Sequence, residues 1–265
     1  MKAVLHYPGS KKRIASWIIE NMPPHHSYVE PYFGGGAVFF EKPPSNIETI
    51  NDIDDEVVNF FRVLQKEDTR EELIRRLDYT PYSRTIYDSI FRDKPQNEID
   101  KALFFAIRGA QSHGFRLTEK SGWKKDVTGR EASYAVRYWN ELPASLAQMA
   151  ERLKEVQIEK RPAIEVIKAF DYENVLIYAD PPYVLSTRNR TQYRHEMTDA
   201  EHVELLQVLN QSKAKVMLSG YDSKLYNDLL NGWRKLQIPT RAQGNIPRIE
   251  TLWLNYEPVS QISLF

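Results

Sequence analysis

The stretch NVLIYADPPY, residues 174–183, restricts the fold more than any other part of the chain. Val175, Leu176, Ile177 and Tyr178 form a short apolar run rich in β-formers, the pattern of a strand buried on both faces. Strands of that kind belong to parallel sheets covered by helices on each side. Pro181 and Pro182 set two φ angles and supply no backbone donors, so the strand stops at Asp180. An acid at the carboxyl end of such a strand stands where open α/β sheets bind ligands. The Asp180 carboxylate and the free carbonyls around the prolines are acceptors, so the expected ligand is rich in N–H donors.

The segments on either side fit the same sheet. In SKKRIASWIIENM, residues 10–22, the spacing of Ile14, Trp17, Ile18 and Met22 predicts a helix that ends before Pro23 and Pro24. SYVEPYFGGGAVFF reads as strand, glycine turn and helix start, and IETIND with IDDEVVNFFRVLQ as a second strand and helix. Residues 68–155 change character: EELIRRLDY and DKALFFAIRGA are helical, and no strand comparable to VLIYA occurs. The βα rhythm resumes at VLIYAD, continues through TDAEHVELLQVLN and AKVMLSGYD, and ends in RKLQIP and IETLWLNYEP, an expected antiparallel pair. The expected architecture is α/β: a doubly wound, mostly parallel sheet built from residues 1–67 and 156–265, with a mostly helical insert at 68–155. Trp17, Phe39, Phe40, Phe60 and Phe61 are expected in its core.

Composition narrows the chemistry. The 36 basic and 36 acidic residues cancel, so any affinity for nucleic acid must come from local patches. The absence of cysteine excludes disulfides, thiolate metal sites and thiol nucleophiles. His195 and His202 miss the spacing of paired helical ligands, and His25 and His26 diverge on any regular element, so no metal is expected. No signal-peptide core or membrane-length apolar run is visible, and a soluble intracellular protein is the expectation.

Three constellations can carry chemistry. In EPYFGGG the glycines between strand and helix permit positive φ and close approach of a ligand, although a tight turn without a ligand accounts for them too. Counting from Gly34, the sixth position is Phe39, so the dinucleotide fingerprint is absent. Asp52 follows Gly36 by 16 residues, the distance at which an acid reaches a ribose hydroxyl; capping of the next helix is the alternative, and Asp54 and Asp55 are expected to cap it. In YPGSKK, Tyr7, Lys11 and Lys12 can clamp a carboxylate or stand as solvated surface. In DPPY, Asp180 and the Pro181 carbonyl can accept the two N–H bonds of an exocyclic amine, and Tyr183 offers a stacking face. Between Arg108 and Arg137 seven basic residues face three acids, a local +4, and VLSTRNRTQYRH adds Arg188, Arg190 and Arg194 with no acid.

In this order along the chain, YPGSK, EPYFGGG, NDID and DPPY, with the later LSGYDSKLY and RIETLWLNYEP, resemble the Dam-type DNA adenine methyltransferases. The resemblance implies a Rossmann-like methyltransferase core with S-adenosylmethionine as cofactor, and in-line methyl transfer to the N6 amine of an adenine flipped from duplex DNA. It implies cofactor contacts from Tyr7, Lys11, Glu30, Phe33, Gly34, Gly36, Asp52 and Asp180, and catalysis by Asp180, Pro181, Pro182 and Tyr183. Residues 68–155 become the target-recognition insert, and DNA contacts fall to Arg116, Lys120, Lys124, Lys125, Arg130, Arg188, Arg190 and Arg194. A restriction-modification setting in a bacterial or phage-infected cytoplasm follows from the same likeness. The alternatives are another amine acceptor, such as cytosine N4, RNA or a protein amide, and a non-catalytic DNA-binding relative.

Overall fold

The computed structural model describes residues 7–113, 120–127, 132–187, 193–241 and 247–258. In chain order its elements are α1 (Ala15–Glu20), β1 (Ser27–Glu30), α2 (Ala37–Glu41), β2 (Ile47–Asn51), α3 (Asp55–Gln65), α4 (Glu67–Tyr79), α5 (Arg84–Ser89), α6 (Glu98–Gln111), α7 (Tyr134–Leu153), β3 (Val156–Glu159), α8 (Ala163–Ala169), β4 (Val175–Ala179), α9 (Asp199–Asn210), β5 (Lys215–Gly220), α10 (Lys224–Leu229), β6 (Arg234–Arg241) and β7 (Pro247–Leu254). The strands form one seven-stranded sheet in the order β3-β2-β1-β4-β5-β7-β6. The first five are parallel, and β7 runs antiparallel to both β5 and β6, so the expected closing pair is present.

The chain winds outward from β1 through β2 to β3, then crosses back to β4 and winds the other way. That reversal leaves a crevice at the carboxyl ends of β1 and β4, the place where such sheets bind ligands. Both strands are buried along their whole length. The period of two in β4 divides its side chains between two cores: Leu176 and Tyr178 join one, Val175, Ile177 and Ala179 the other. Full burial of each large apolar side chain among them is worth about 1.5–3 kcal/mol. The edge strand β6 alternates exposed and half-buried residues and carries Arg234, Lys235 and Arg241, which discourages pairing with another chain.

The helices between α3 and β3 sit on one face of the sheet. Leu73, Leu77, Phe105, Trp139, Leu142, Leu146 and Met149 belong to the same buried cluster as Phe39, Phe40, Phe60, Phe61 and Leu176. The described residues of 68–155 are mostly helical, and their helices share a core with the sheet. Trp17 is half-buried at the edge of that cluster.

Three local features differ from the sequence expectation. The helix expected over 10–22 is regular only from Ala15 to Glu20, because Gly9 turns at φ +71° and the Lys11 ammonium reaches back to the Gly9 carbonyl at 3.0 Å. Strand β3 and helix α8 stand where the sequence pattern predicts no element. Only Val156 of β3 is fully buried, so this edge strand lacks an apolar signature.

Candidate active site

The glycine turn follows β1 directly. Gly34 and Gly36 have φ of +50° and +63°, a region that favours glycine. A Cβ on Gly34 would lie 2.8 Å from the Tyr7 ring, and one on Gly36 would lie 2.5 Å from Phe33. Both positions therefore need glycine for conformation and for space. Tyr7 packs on the turn directly.

Asp52 ties that turn to the next element. One carboxylate oxygen accepts the Gly34 N–H at 2.8 Å and the other accepts the Asp54 N–H at 2.9 Å. Capping of α3 falls to Asp54, whose carboxylate accepts the Glu56 N–H at 2.9 Å, with Asp55 in the first helical turn. Burial pushes Asp52 up to about 6, against the lowering effect of its two backbone hydrogen bonds. Beside it, the buried Asn51 side chain donates to the Pro31 and Arg161 carbonyls at 2.9 and 3.0 Å and accepts from the Arg161 N–H at 2.9 Å. One amide thus joins the exits of β1, β2 and β3.

Asp180 stands at the end of β4, as expected. Lys11 is buried, not solvated, and its ammonium donates to both Asp180 oxygens at 2.8 and 2.6 Å. Burial works against the Lys11 charge, but the Asp180 and Glu250 carboxylates outweigh it and raise its pKa above the ordinary lysine range. Burial likewise pushes Asp180 up to about 6, with Lys11 restraining the rise. Lys12 is half-buried, and burial lowers it to about 8. Glu30 is buried at the end of β1, accepts the Tyr28 hydroxyl at 2.8 Å, and is pushed well above the carboxylate range by burial.

These groups surround a cavity of about 740 Å³. Tyr7, Lys11, Glu30, Phe33, Gly34, Gly36, Asp52, Asp180 and Pro182 all line it, which brings every expected cofactor contact to one place. Pro181 and Tyr183 are not among its walls. The Tyr183 ring meets Tyr221 edge to face at 4.6 Å, lies under the Lys11 ammonium at 4.8 Å, and donates its hydroxyl to Glu250. Asp180 therefore has the cavity on one side and a half-buried aromatic group close by.

The basic residues divide. Arg116, Arg130, Arg188 and Arg190 lie outside the described residues. Lys125 is exposed, while Lys120 pairs with Asp88 at 2.6 Å. Around Lys124 a hairpin-like contact forms: Ser112 and Trp123 bridge antiparallel, and Lys124 N–H donates to the Gln111 carbonyl at 2.7 Å. The Lys124 ammonium sits over the Tyr134 ring at 5.1 Å. Arg194 is engaged within the protein. Its guanidinium binds Asp54 at 3.1 Å and Glu56 at 2.7 Å, and Arg108 donates to the same Glu56 oxygen. The chain after DPPY returns to the acid-rich start of α3, and that local field captures Arg194.

Sequence reasoning missed Glu250, Ser219, Asn51, Ile53 and Ile164. Both isoleucines line the cavity, and Ile53, next to Asp52 in sequence, is 42% exposed. An apolar residue left open beside the acid of NDID was the available signal for Ile53. The others have none, because their partners are distant in sequence. Among the described residues no three His, Cys, Asp or Glu side chains are grouped as metal ligands, and no helix is long and apolar enough to cross a membrane.

A twice-wound parallel sheet with a glycine turn, a second-strand acid and a cavity at the reversal of strand order defines a nucleotide-cofactor enzyme. The chain belongs to the D12 class N6 adenine-specific DNA methyltransferases, whose family model matches residues 7–243. It is accordingly an S-adenosylmethionine-dependent DNA adenine methyltransferase. Among curated proteins it is similar to the Type II methyltransferase M1.LlaDCHI of Lactococcus lactis subsp. cremoris, at 27% identity over 90% of this chain and 88% of the relative. It is also similar to the Type II methyltransferase M.MjaIII of Methanocaldococcus jannaschii, at 26% identity over 92% of this chain and 93% of the relative. A crystal structure of a SAM-dependent methyltransferase from Agrobacterium tumefaciens matches 92% of this chain and 61% of its own, with a TM-score of 0.38 and 11% identity.

Proposed function

We propose that the cavity at the β1–β4 crevice holds S-adenosylmethionine, and that Asp180, Pro181 and Tyr183 receive an adenine flipped from duplex DNA. The supporting observation is the position of Asp180, which lines the cofactor-sized cavity and accepts a buried cation beside Tyr183. The fit to the cofactor rests on the cradle itself. At Gly34 and Gly36 a Cβ would clash, and about 740 Å³ lies within the usual range for small-molecule sites.

In this assignment Asp52 accepts ribose hydroxyls through lone pairs its backbone bonds leave free, and Ile53 and Ile164 supply apolar walls. Lys11 and Asp180 lie nearer the reacting end. When bound, the cofactor supplies an electrophilic methyl group on a sulfonium. Asp180 and the Pro181 carbonyl accept the two hydrogens of the target amine, which aims its lone pair and stabilises the positive charge that develops on nitrogen. Tyr183 stacks on the extruded base. Arg194, bound to Asp54 and Glu56, anchors the segment after DPPY against α3.

Residues 68–155 form the target-recognition insert, with Lys124 and Lys125, next to the Ser112–Trp123 bridge, directed to DNA. The Type II names of both relatives support a role as the modification partner of a restriction system, in a bacterial or phage-infected cell.

Labelled S-adenosylmethionine incubated with duplex DNA, followed by nucleoside digestion, tests the assignment. N6-methyladenine is expected, and label only in methylcytosine or RNA would overturn the choice of acceptor. Asp180→Ala is expected to abolish transfer while DNA binding persists; full activity in that variant would remove Asp180 from the mechanism.

A further inference from the structure

Glu250 lies on β7, 70 residues beyond Asp180 in sequence, and is 4% exposed. Glu250 opens the buried half of the strand: Ile249 before it is 54% exposed, while Thr251, Leu252, Trp253 and Leu254 after it are buried. A carboxylate among them costs several kcal/mol unless charge and hydrogen bonds compensate it. Two of the three compensating groups, Tyr183 and Lys11, belong to the candidate active site. Glu250 Oε1 accepts the Tyr183 hydroxyl and the Ser219 hydroxyl, the latter at 3.2 Å, and stands 3.7 Å from the Lys11 ammonium. Packing alone would be served as well by an apolar residue, so the charge and the acceptor need a separate explanation.

Two consequences follow from this geometry. First, the Tyr183 ring is held from three directions: its hydroxyl by Glu250, an edge-to-face contact with Tyr221, and the Lys11 ammonium over the ring. Without Glu250 the phenol would be a partly buried donor lacking its acceptor, and the ring would lose its fixed rotation. Secondly, Lys11 stands between two carboxylates, at 2.6 Å from Asp180 and 3.7 Å from Glu250. A simple Lys11–Asp180 pair is neutral. With Glu250 the trio carries a net charge of −1, which remains available to positive charge developing on an acceptor nitrogen.

Resting on the assignment of Asp180 and Tyr183 above, we propose that Glu250 is a positioning residue: it fixes the Tyr183 ring through the phenol and keeps the Lys11–Asp180 pair net negative. Glu250→Gln preserves shape but removes the charge and weakens the hydrogen bond from Tyr183, because a neutral amide oxygen replaces the carboxylate as its acceptor. It is expected to lower kcat by about 10-fold or more, with KM for DNA changed less than about 2-fold. Tyr183→Phe breaks the same hydrogen bond from the other side without touching β7. Because the two changes share one interaction, the double variant is expected to lose less than the product of the two single losses. Wild-type kcat in Glu250→Gln, or strictly multiplicative losses in the double variant, would overturn the proposal.

The contact has a second readout that needs no turnover. With 3-fluorotyrosine placed at position 183, the fluorine resonance is expected to move in Glu250→Gln while Tm stays close to wild type. An unmoved resonance would refute the contact, whatever the enzyme methylates. If the wild-type protein instead methylated no adenine in any duplex, the assigned function would fail while the fluorine spectrum still decided the positioning claim.

Discussion

Replacing Lys11 with methionine removes the cation from Asp180 and leaves an unbranched side chain one atom shorter. The pair is buried, with side-chain exposures of 6% and 18%, and its closest approach is 2.6 Å. Removing one partner of such a pair costs about 3–5 kcal/mol, or about 2–4 pKa units on the remaining group at about 1.4 kcal/mol per unit. Asp180 already titrates at about 6, so it is expected between about 8 and about 10 in Lys11→Met. At pH 7.5 the ionised fraction then falls from nearly complete to between about 0.2 and 0.003, a loss of roughly 4- to 300-fold in kcat if only the carboxylate form works. The sign for stability follows from the same shift. Asp180 is raised in the folded state, so its ionisation opposes folding above about pH 6 and ceases to matter below about pH 4. Lys11→Met is therefore expected to be destabilised most at neutral and alkaline pH, and to approach wild type in acid. The assay is kcat against pH on a methylatable duplex, with urea unfolding at pH 5 and 8. An acidic limb that stays near 6 in a folded Lys11→Met protein would refute the coupling between these two groups.

Gly36→Ala forces an alanine into φ +63° with its Cβ 2.5 Å from Phe33, so a loss of at least about 1–2 kcal/mol and weaker cofactor binding are expected by thermal unfolding and calorimetry. Asn51→Ala leaves the Pro31 and Arg161 carbonyls without their donor, at a cost of about 2–4 kcal/mol in urea unfolding. Arg194→Ala separates an intramolecular anchor from a phosphate contact. Its effect is expected on cofactor affinity, with an unchanged slope of log K for DNA against log salt; a slope reduced by about 0.9 would restore the phosphate role. Lys125→Ala, at an exposed site, is expected to reduce that slope by about 0.9 and to leave cofactor affinity unchanged.

The parts of the molecule legible in sequence are those where a local rule meets a single strand or turn. The apolar run 175–179, the glycines at 34 and 36 and the acid at 52 each carry their signal within a few residues, and each lines or supports the cavity as expected. Helical periodicity likewise exposed α3, α6 and α9. Strand β3 escaped notice because an edge strand of four residues with one buried side chain has no periodicity to read. The Arg194 ion pairs are invisible in sequence for a related reason: a basic loop looks free there, and the acids that pair with it lie 138–140 residues earlier.

The sequence by itself determined the chemical types present: a carboxylate at a proline-stiffened strand end, a turn only glycine can make, and no thiol chemistry. These depend on bond geometry and side-chain identity, which the chain carries locally. The tertiary structure alone decided which charges meet. Lys11 reaches Asp180 across 169 residues, Tyr183 reaches Glu250 across 67, and Arg108 and Arg194 converge on Glu56. Electrostatic energy in a buried site varies with separation over a few ångströms, and such separations exist only once the sheet has brought its strand ends together.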